Sequence, residues 1–161
     1  MIQEIIAALK FADIIGRALH FHINIGRVEM KGDPILHNLR GLFEGIAENG
    51  HQLIIHTWAP HAEFIKIIKD IDIGVQVSFS ETFNIVAADM VVTGVPIVVS
   101  SEIPWAREGI ADPTDSHNIA NIMEIAWKNM NSNVKTNLKG LKTYVRTSKE
   151  YWIEFLERTS K

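Results

Sequence analysis

Apolar positions along the chain switch repeatedly between two periods. Ile5, Ile6, Leu9, Ile14 and Ile15 recur near helical spacing, so 2–16 predicts a helix closed by Gly16. Leu19-His20-Phe21-His22-Ile23-Asn24-Ile25 alternates instead, predicting a strand that ends at Gly26. A polar loop, Arg27–Gly32, follows. Asp33 then stands as a cap before Pro34, opening a helix expected to run to about Glu48 and stop at Asn49-Gly50. Gln52–Thr57 predicts a second strand, and Ala62–Asp70 a helix with Phe64, Ile65 and Ile68 inward. Ile73–Val77 predicts a third strand with Ser78-Phe79-Ser80 as its exit. A helix over 82–93, closed by Gly94, leads to a fourth strand, Val95–Val99. Ser116–Asn129 and 131–157 predict the last two helices.

Strand and helix therefore alternate four times with short connections. This pattern predicts an α/β fold: a Rossmann-like three-layer domain with a mainly parallel sheet and helices on both faces. The length of 161 residues predicts a single domain over 1–161, with 131–158 as a C-terminal amphipathic helix. An apolar fraction of 47% and a charged fraction of 22% exclude disorder and fibrous repeats. Zero cysteines excludes a disulfide framework, thiolate metal sites and cysteine catalysis. The apolar stretch Ile71–Ser101 still contains Asp72, Glu81 and Asp89, which argues against a membrane span. Met1-Ile2-Gln3-Glu4 lacks the basic start of a signal peptide, so a cytoplasmic location is expected.

Charge adds an asymmetry. Residues 131–161 carry seven basic groups against three acidic ones, a local balance of +4 within a net charge of −3. The acidic body argues against nonspecific nucleic-acid binding, which needs a broad basic footprint.

Ligands of open α/β sheets bind beyond the carboxyl ends of the strands. The loops to inspect are Gly26–Gly32, Trp58–His61, Ser78–Asn84 and Ser100–Arg107. No dinucleotide, P-loop, zincin or nucleophile-elbow motif occurs in the sequence. The informative segment is 77–100: a strand, a polar turn bearing Glu81, a helix bearing Asp89, then Gly94, Pro96 and an apolar strand. A helix start after Ser80 offers unpaired N–H groups and a positive dipole end to an anion. Glu81 sits beside those donors, and Asp89 lies just over two turns along on about the same side. Two carboxylates flanking an anion site suit a ligand with a central phosphate and hydroxyl-rich ends, the layout of a nucleotide-sugar.

Ser78, Glu81, Phe83, Asn84, Asp89, Gly94, Pro96, Ile97, Val98 and Ser100 resemble the signature of retaining GT-B glycosyltransferases of the glycogen-synthase-like and sucrose-synthase-like group. More loosely, the resemblance covers residues 1–158 as the C-terminal, donor-binding domain of that fold. It implies that Glu81 contacts the donor sugar near the reacting centre as the catalytic carboxylate. It also implies that the N–H groups around Phe83, Asn84 and Ile85, following Ser80, hold the distal phosphate, and that Asp89 binds the ribose hydroxyls. Asn84 stands where the family has glycine, and Asp89 where it has glutamate. Arg27 and Lys31 resemble the family's diphosphate-binding loop. If 2–16 is instead the domain's first helix, the first strand and its Arg/Lys pair precede Met1. Trp58, Pro60 and His61 lie where the family seats the nucleotide base, while Trp105 and Arg107 could wall the pocket. The resemblance further implies a nucleotide-sugar as donor, no metal cofactor, and an N-terminal acceptor domain outside this chain.

Blander readings accompany each residue. Glu81 alone is a capping carboxylate worth about 1 kcal/mol, Asp89 a solvated helix residue, and Arg27 and Lys31 an ordinary charged loop. His20 and His22 share one strand face but lack a third metal ligand. Lys135, Lys139, Lys142, Arg146 and Lys149 form one stripe opposite Val134, Leu138, Leu141, Val145, Trp152 and Phe155. A docked amphipathic helix explains this stripe, and attraction to anionic lipid is the alternative. The function expected is sugar transfer from a nucleotide donor in glycan synthesis. The alternatives are a non-catalytic nucleotide- or partner-binding domain derived from such an enzyme and, ranked last, a flavodoxin-like receiver.

Overall fold

The computed structural model of the chain describes residues 2–25 and 33–159. Among them, six α-helices and four short strands alternate. They are α1 (Ile2–Ile15), β1 (His20–Asn24), α2 (Asp33–Gly45), β2 (Gln52–His56), α3 (His61–Lys69), β3 (Gly74–Gln76), α4 (Ile85–Thr93), β4 (Ile97–Val99), α5 (Ser116–Lys128) and α6 (Met130–Thr159). A 3₁₀ turn, Ala47–Asn49, continues the chain beyond α2 where a longer helix was expected. The proposed Asp33 side-chain cap, like Arg27 and Lys31, lies outside what is described.

The strands form two parallel pairs. β1 pairs with β2, with Phe21 opposite Leu53 and Ile23 opposite Ile55. β3 pairs with β4, with Val75 opposite Val98. The β4 ladder begins at Ile97 rather than Val95 because Pro96 has no N–H to give it; its carbonyl instead accepts from Gly74 N at 2.9 Å. Beyond β4, Val99 meets Ile110 in an isolated parallel bridge, with Val99 N donating to Gly109 O and Ala111 N to Val99 O.

Successive β4 residues feed separate clusters because side chains alternate across a strand. Val98 packs with Ala7, Ala8 and Phe11 of α1 and Ile119, Ala120 and Met123 of α5. Ile97 and Val99 pack with Ala87, Ala88 and Val91 of α4, with Trp105, and with Leu141 of α6. A third cluster joins Ile5 to Leu39 and Phe43 of α2 over Phe21, Ile23 and Leu53. The β3–β4 pair is thus covered on both faces. β1 is covered on one only, since Phe21 and Ile23 are half-buried while His20, His22 and Asn24 are exposed. Among the described residues, the alternation of His20, His22 and Asn24 with Phe21 and Ile23 leaves one face of β1 exposed.

Two helix faces also differ from expectation. In α1, Ile6 and Ile14 are exposed and Ala7, Ala8 and Ala12 are buried. Small side chains let α1 approach α5 closely, and Phe11 meets Trp127 edge-on at 6.0 Å. In α6, Val145, Trp152 and Phe155 are exposed, although the periodicity assigned them to the packed side. Packing into the nearby cluster ends at Leu141 and Tyr144, while a 30-residue helix extends about 45 Å. The helix simply outruns the body beneath it. Among the described residues, no helix is long and apolar enough to cross a membrane.

Candidate functional site

The segment singled out in the sequence forms a turn between β3 and α4. The helix begins at Ile85, three residues later than the pattern predicted, because Asn84 adopts a left-handed conformation at φ 55° and ends the turn. Its Oδ1 accepts from Ala87 N at 2.9 Å, capping the helix, and its carbonyl accepts from Ala88 N at 3.1 Å. By helix geometry, the remaining first-turn amides are those of Ile85 and Val86, residues that are 65% and 37% exposed. Gly94, at φ 92°, closes the helix as expected, its N–H shared between the Met90 and Val91 carbonyls.

Glu81 is drawn into this turn. Oε1 accepts from Thr82 N at 3.0 Å and Oε2 from Asn84 Nδ2 at 2.8 Å. The carboxylate thereby fixes the side chain that caps α4. Phe83 anchors the turn from the other side: its ring lies 6.2 Å from Trp105 and 5.9 Å from Tyr144, and its carbonyl accepts from Trp105 Nε1. Ser80 and its neighbour Phe79 are exposed.

Asp89 faces another partner. His61 Nε2, at the start of α3, lies 3.0 Å from Asp89 Oδ2. Glu81 and Asp89 share the turn and helix expected of them but are held by different groups. Sequence reasoning named His61 for base contact and missed this pairing, which depends on how α3 lies against α4. Trp58, in the loop after β2, is 63% exposed and free to meet a ligand's flat face. Trp105 is fully buried in the core and so walls no open pocket, while exposed Arg107 donates to the Pro104 and Ala106 carbonyls at 2.8 Å each.

Two hydroxyls that the sequence placed in the signature without assigning them a role, Ser78 and Ser100, stand at the carboxyl ends of the neighbouring strands. Continuing the β3–β4 register by one sets Val77 beside Ser100, which places Ser78 and Ser100 at the same end of the sheet. The Oγ atoms of both are buried without a hydrogen-bond partner. Such hydroxyls cost free energy unless satisfied, which marks this end of the sheet as polar.

On the opposite half, His22 Nδ1 lies 2.9 Å from His56 Nε2 and the rings stack at 5.1 Å. Partial desolvation, then the charges of His56 and His20, lower the His22 pKa from its ordinary 6.5. The partner is His56 on the adjacent strand, two residues beyond the register position of His22, so only strand pairing reveals it. Among the described residues, no group of three or more His, Asp or Glu side chains is arranged to hold a metal.

Lys135, Lys139, Lys142 and Arg146 line an open groove of about 450 Å³ along α6 with Leu138 and Thr143, and Lys149 continues the stripe in an exposed position. No family model and no curated protein matches this chain.

Proposed function

We propose that the chain is the donor-binding half of a GT-B-type glycosyltransferase, holding a nucleoside-diphosphate sugar beyond the carboxyl end of β3. In this reading the two strand pairs belong to one Rossmann-like three-layer domain, completed for catalysis by an acceptor domain. The observation that carries it is the open start of α4, where the Ile85 and Val86 amides stand beside Glu81 in a turn anchored by Trp105 and Asn84. A positive helix end with first-turn amides outside the helix ladder suits a diphosphate without requiring a metal.

The present partners of the carboxylates set what binding requires. Glu81 would exchange Asn84 Nδ2 for donor sugar hydroxyls, and Asp89 would exchange His61 for ribose hydroxyls. Both exchanges replace one hydrogen-bond donor by another, so the carboxylates stay satisfied. Trp58 would stack on the base. Arg27 and Lys31 remain proposed diphosphate contacts.

Calorimetric titration of the chain with UDP, GDP and ADP tests the reading. Binding of at least one is expected, weakened about tenfold or more by Asp89→Ala and by Glu81→Gln, since each removes charge-assisted hydrogen bonds. Failure of the folded chain to bind any of the three overturns it. A non-catalytic, nucleotide-binding role is the second reading, favoured by the two bonds that already tie Glu81 to its own turn. Nucleotide affinity indifferent to Glu81→Gln would select that alternative.

A further inference from the structure

Two imidazoles that stand 34 positions apart in the sequence meet on the exposed face of the first strand pair. Alternation along β1 sends Phe21 and Ile23 inward, where they pack with Leu39 and Phe43 of α2, and leaves His20, His22 and Asn24 on the opposite face. The parallel register sets His56 of β2 beside Asn24, on that same face and two residues beyond His22. His22 Nδ1 consequently stands 2.9 Å from His56 Nε2. The ladder between β1 and β2 and the bond from Ile25 N to His56 O fix both backbones. The meeting point therefore rests on paired strands rather than on loops.

The contact has the makings of a chelate. A neutral imidazole carries one ring hydrogen and one free lone pair. With the hydrogen of one ring between them, the two nitrogens make an N–H···N hydrogen bond. With the hydrogens on His22 Nε2 and His56 Nδ1 instead, both facing nitrogens present lone pairs, and a cation between them satisfies both. A neutral pair passes from one arrangement to the other by tautomeric shift, without losing a proton.

The spacing selects the cation. Metal–imidazole bonds of about 2.0–2.1 Å set at a right angle separate their nitrogens by about 2.9 Å, and at the tetrahedral angle by about 3.3 Å. The observed 2.9 Å is the right-angle value. Square-planar and tetragonal coordination by nitrogen is the preference of Cu(II) and Ni(II), whereas Zn(II) favours the wider tetrahedral angle. Two neutral nitrogens suit Ca²⁺ and Mg²⁺ poorly, since both take oxygen ligands. Access is open, because His22 is exposed and His56 half-buried. Other histidines are engaged differently: His51 Nδ1 accepts from the Leu19 amide, and His61 Nε2 meets Asp89.

We propose that His22 Nδ1 and His56 Nε2 form a two-imidazole site for a divalent transition ion of tetragonal preference, Cu(II) or Ni(II), with water in the remaining coordination positions. The bound ion ties β1 to β2 through their side chains, so it stabilises the folded chain by linkage. The site does not depend on the nucleotide reading, in which the start of α4 takes a diphosphate without a metal.

Calorimetric titration of the full chain with NiCl2 at neutral pH tests the site. Binding of a single Ni(II) is expected, weakened about tenfold or more by His22→Ala and likewise by His56→Ala, since either change removes one arm of the chelate. His37→Ala, at an exposed position of α2, should leave the affinity unchanged. With equimolar Cu(II), electron paramagnetic resonance should show coupling to two imidazole nitrogens, falling to one in either strand variant. Saturating Ni(II) should also raise the urea midpoint of the chain and of His37→Ala, but not that of His56→Ala. Absence of binding at millimolar Ni(II), or an affinity that survives either His22→Ala or His56→Ala, overturns the site. Should an alanine variant fail to fold, His22→Gln and His56→Gln take its place: the same loss supports the site, and undiminished affinity refutes it.

Discussion

The side-chain amide of Asn133 pairs with the backbone of Ile97 as a neighbouring strand would. Oδ1 accepts from Ile97 N at 2.9 Å and Nδ2 donates to Ile97 O at 3.0 Å, with Asn133 itself buried in α6. One turn on, Asn137 repeats the device, accepting from Arg107 N and Glu108 N and donating to Glu108 O. Two buried asparagines thus fasten α6 to the outer edge of β4 and to the loop beyond it.

Asn133→Leu is expected to lower unfolding free energy by about 2–5 kcal/mol, because it leaves a buried N–H and a buried carbonyl of Ile97 unpaired. Urea denaturation measures this. A loss under about 0.5 kcal/mol, the range of a neutral surface change, would show that the pairing contributes nothing net.

Asn84 combines a cap with a left-handed backbone, so its two roles separate by substitution. Asn84→Gly relaxes the backbone but loses the cap. Asn84→Ala loses the cap and retains the conformational penalty, and should be the worse of the two by about 1 kcal/mol. Equal stabilities in denaturant titration would show that φ 55° costs nothing here.

Glycine positions offer a graded series. A Cβ at Gly140 would stand 2.2 Å from Trp105 O, and one at Gly109 2.1 Å from Ile97 O with φ +74° in addition. At Gly94, φ +92°, nothing lies within 4 Å. Gly94→Ala should cost about 1 kcal/mol from backbone strain alone. Gly140→Ala forces α6 away from its buried partner and should cost about 1–3 kcal/mol. Gly109→Ala bears both penalties and should be worst. Thermal melts of the three variants give the order, and Gly94→Ala falling lowest would contradict it.

The His22–His56 pair makes stability respond to pH. Because folding lowers the His22 pKa from 6.5, its contribution is complete at higher pH, where imidazole is neutral in both states. As pH falls below that value, the unfolded chain takes up a proton that the folded chain resists, and stability is lost. The urea midpoint should therefore drop between about pH 7.5 and about pH 5.5, and drop less in His22→Gln. Identical drops would remove His22 from the account.

Local chemistry is what could be read directly from the residues. The order of helices and strands, the stop at Gly94, the inward residues of α3 and the turn after β3 all follow from side-chain period and backbone preference within a few neighbours. The candidate carboxylates Glu81 and Asp89 were legible for the same reason: their spacing is measured along a single turn and helix. Their partners were not, since Asn84 is reached through a left-handed bend and His61 through the packing of α3 on α4. Packing of distant segments likewise decided that α1 buries alanines rather than Ile6 and Ile14, that α6 outruns its support, and that Asn133 completes a strand edge. The division of the strands into two pairs belongs to this second group as well. Strand pairing is settled by which backbone edges meet across the fold, and alternation of apolar residues fixes only the faces, never the neighbours.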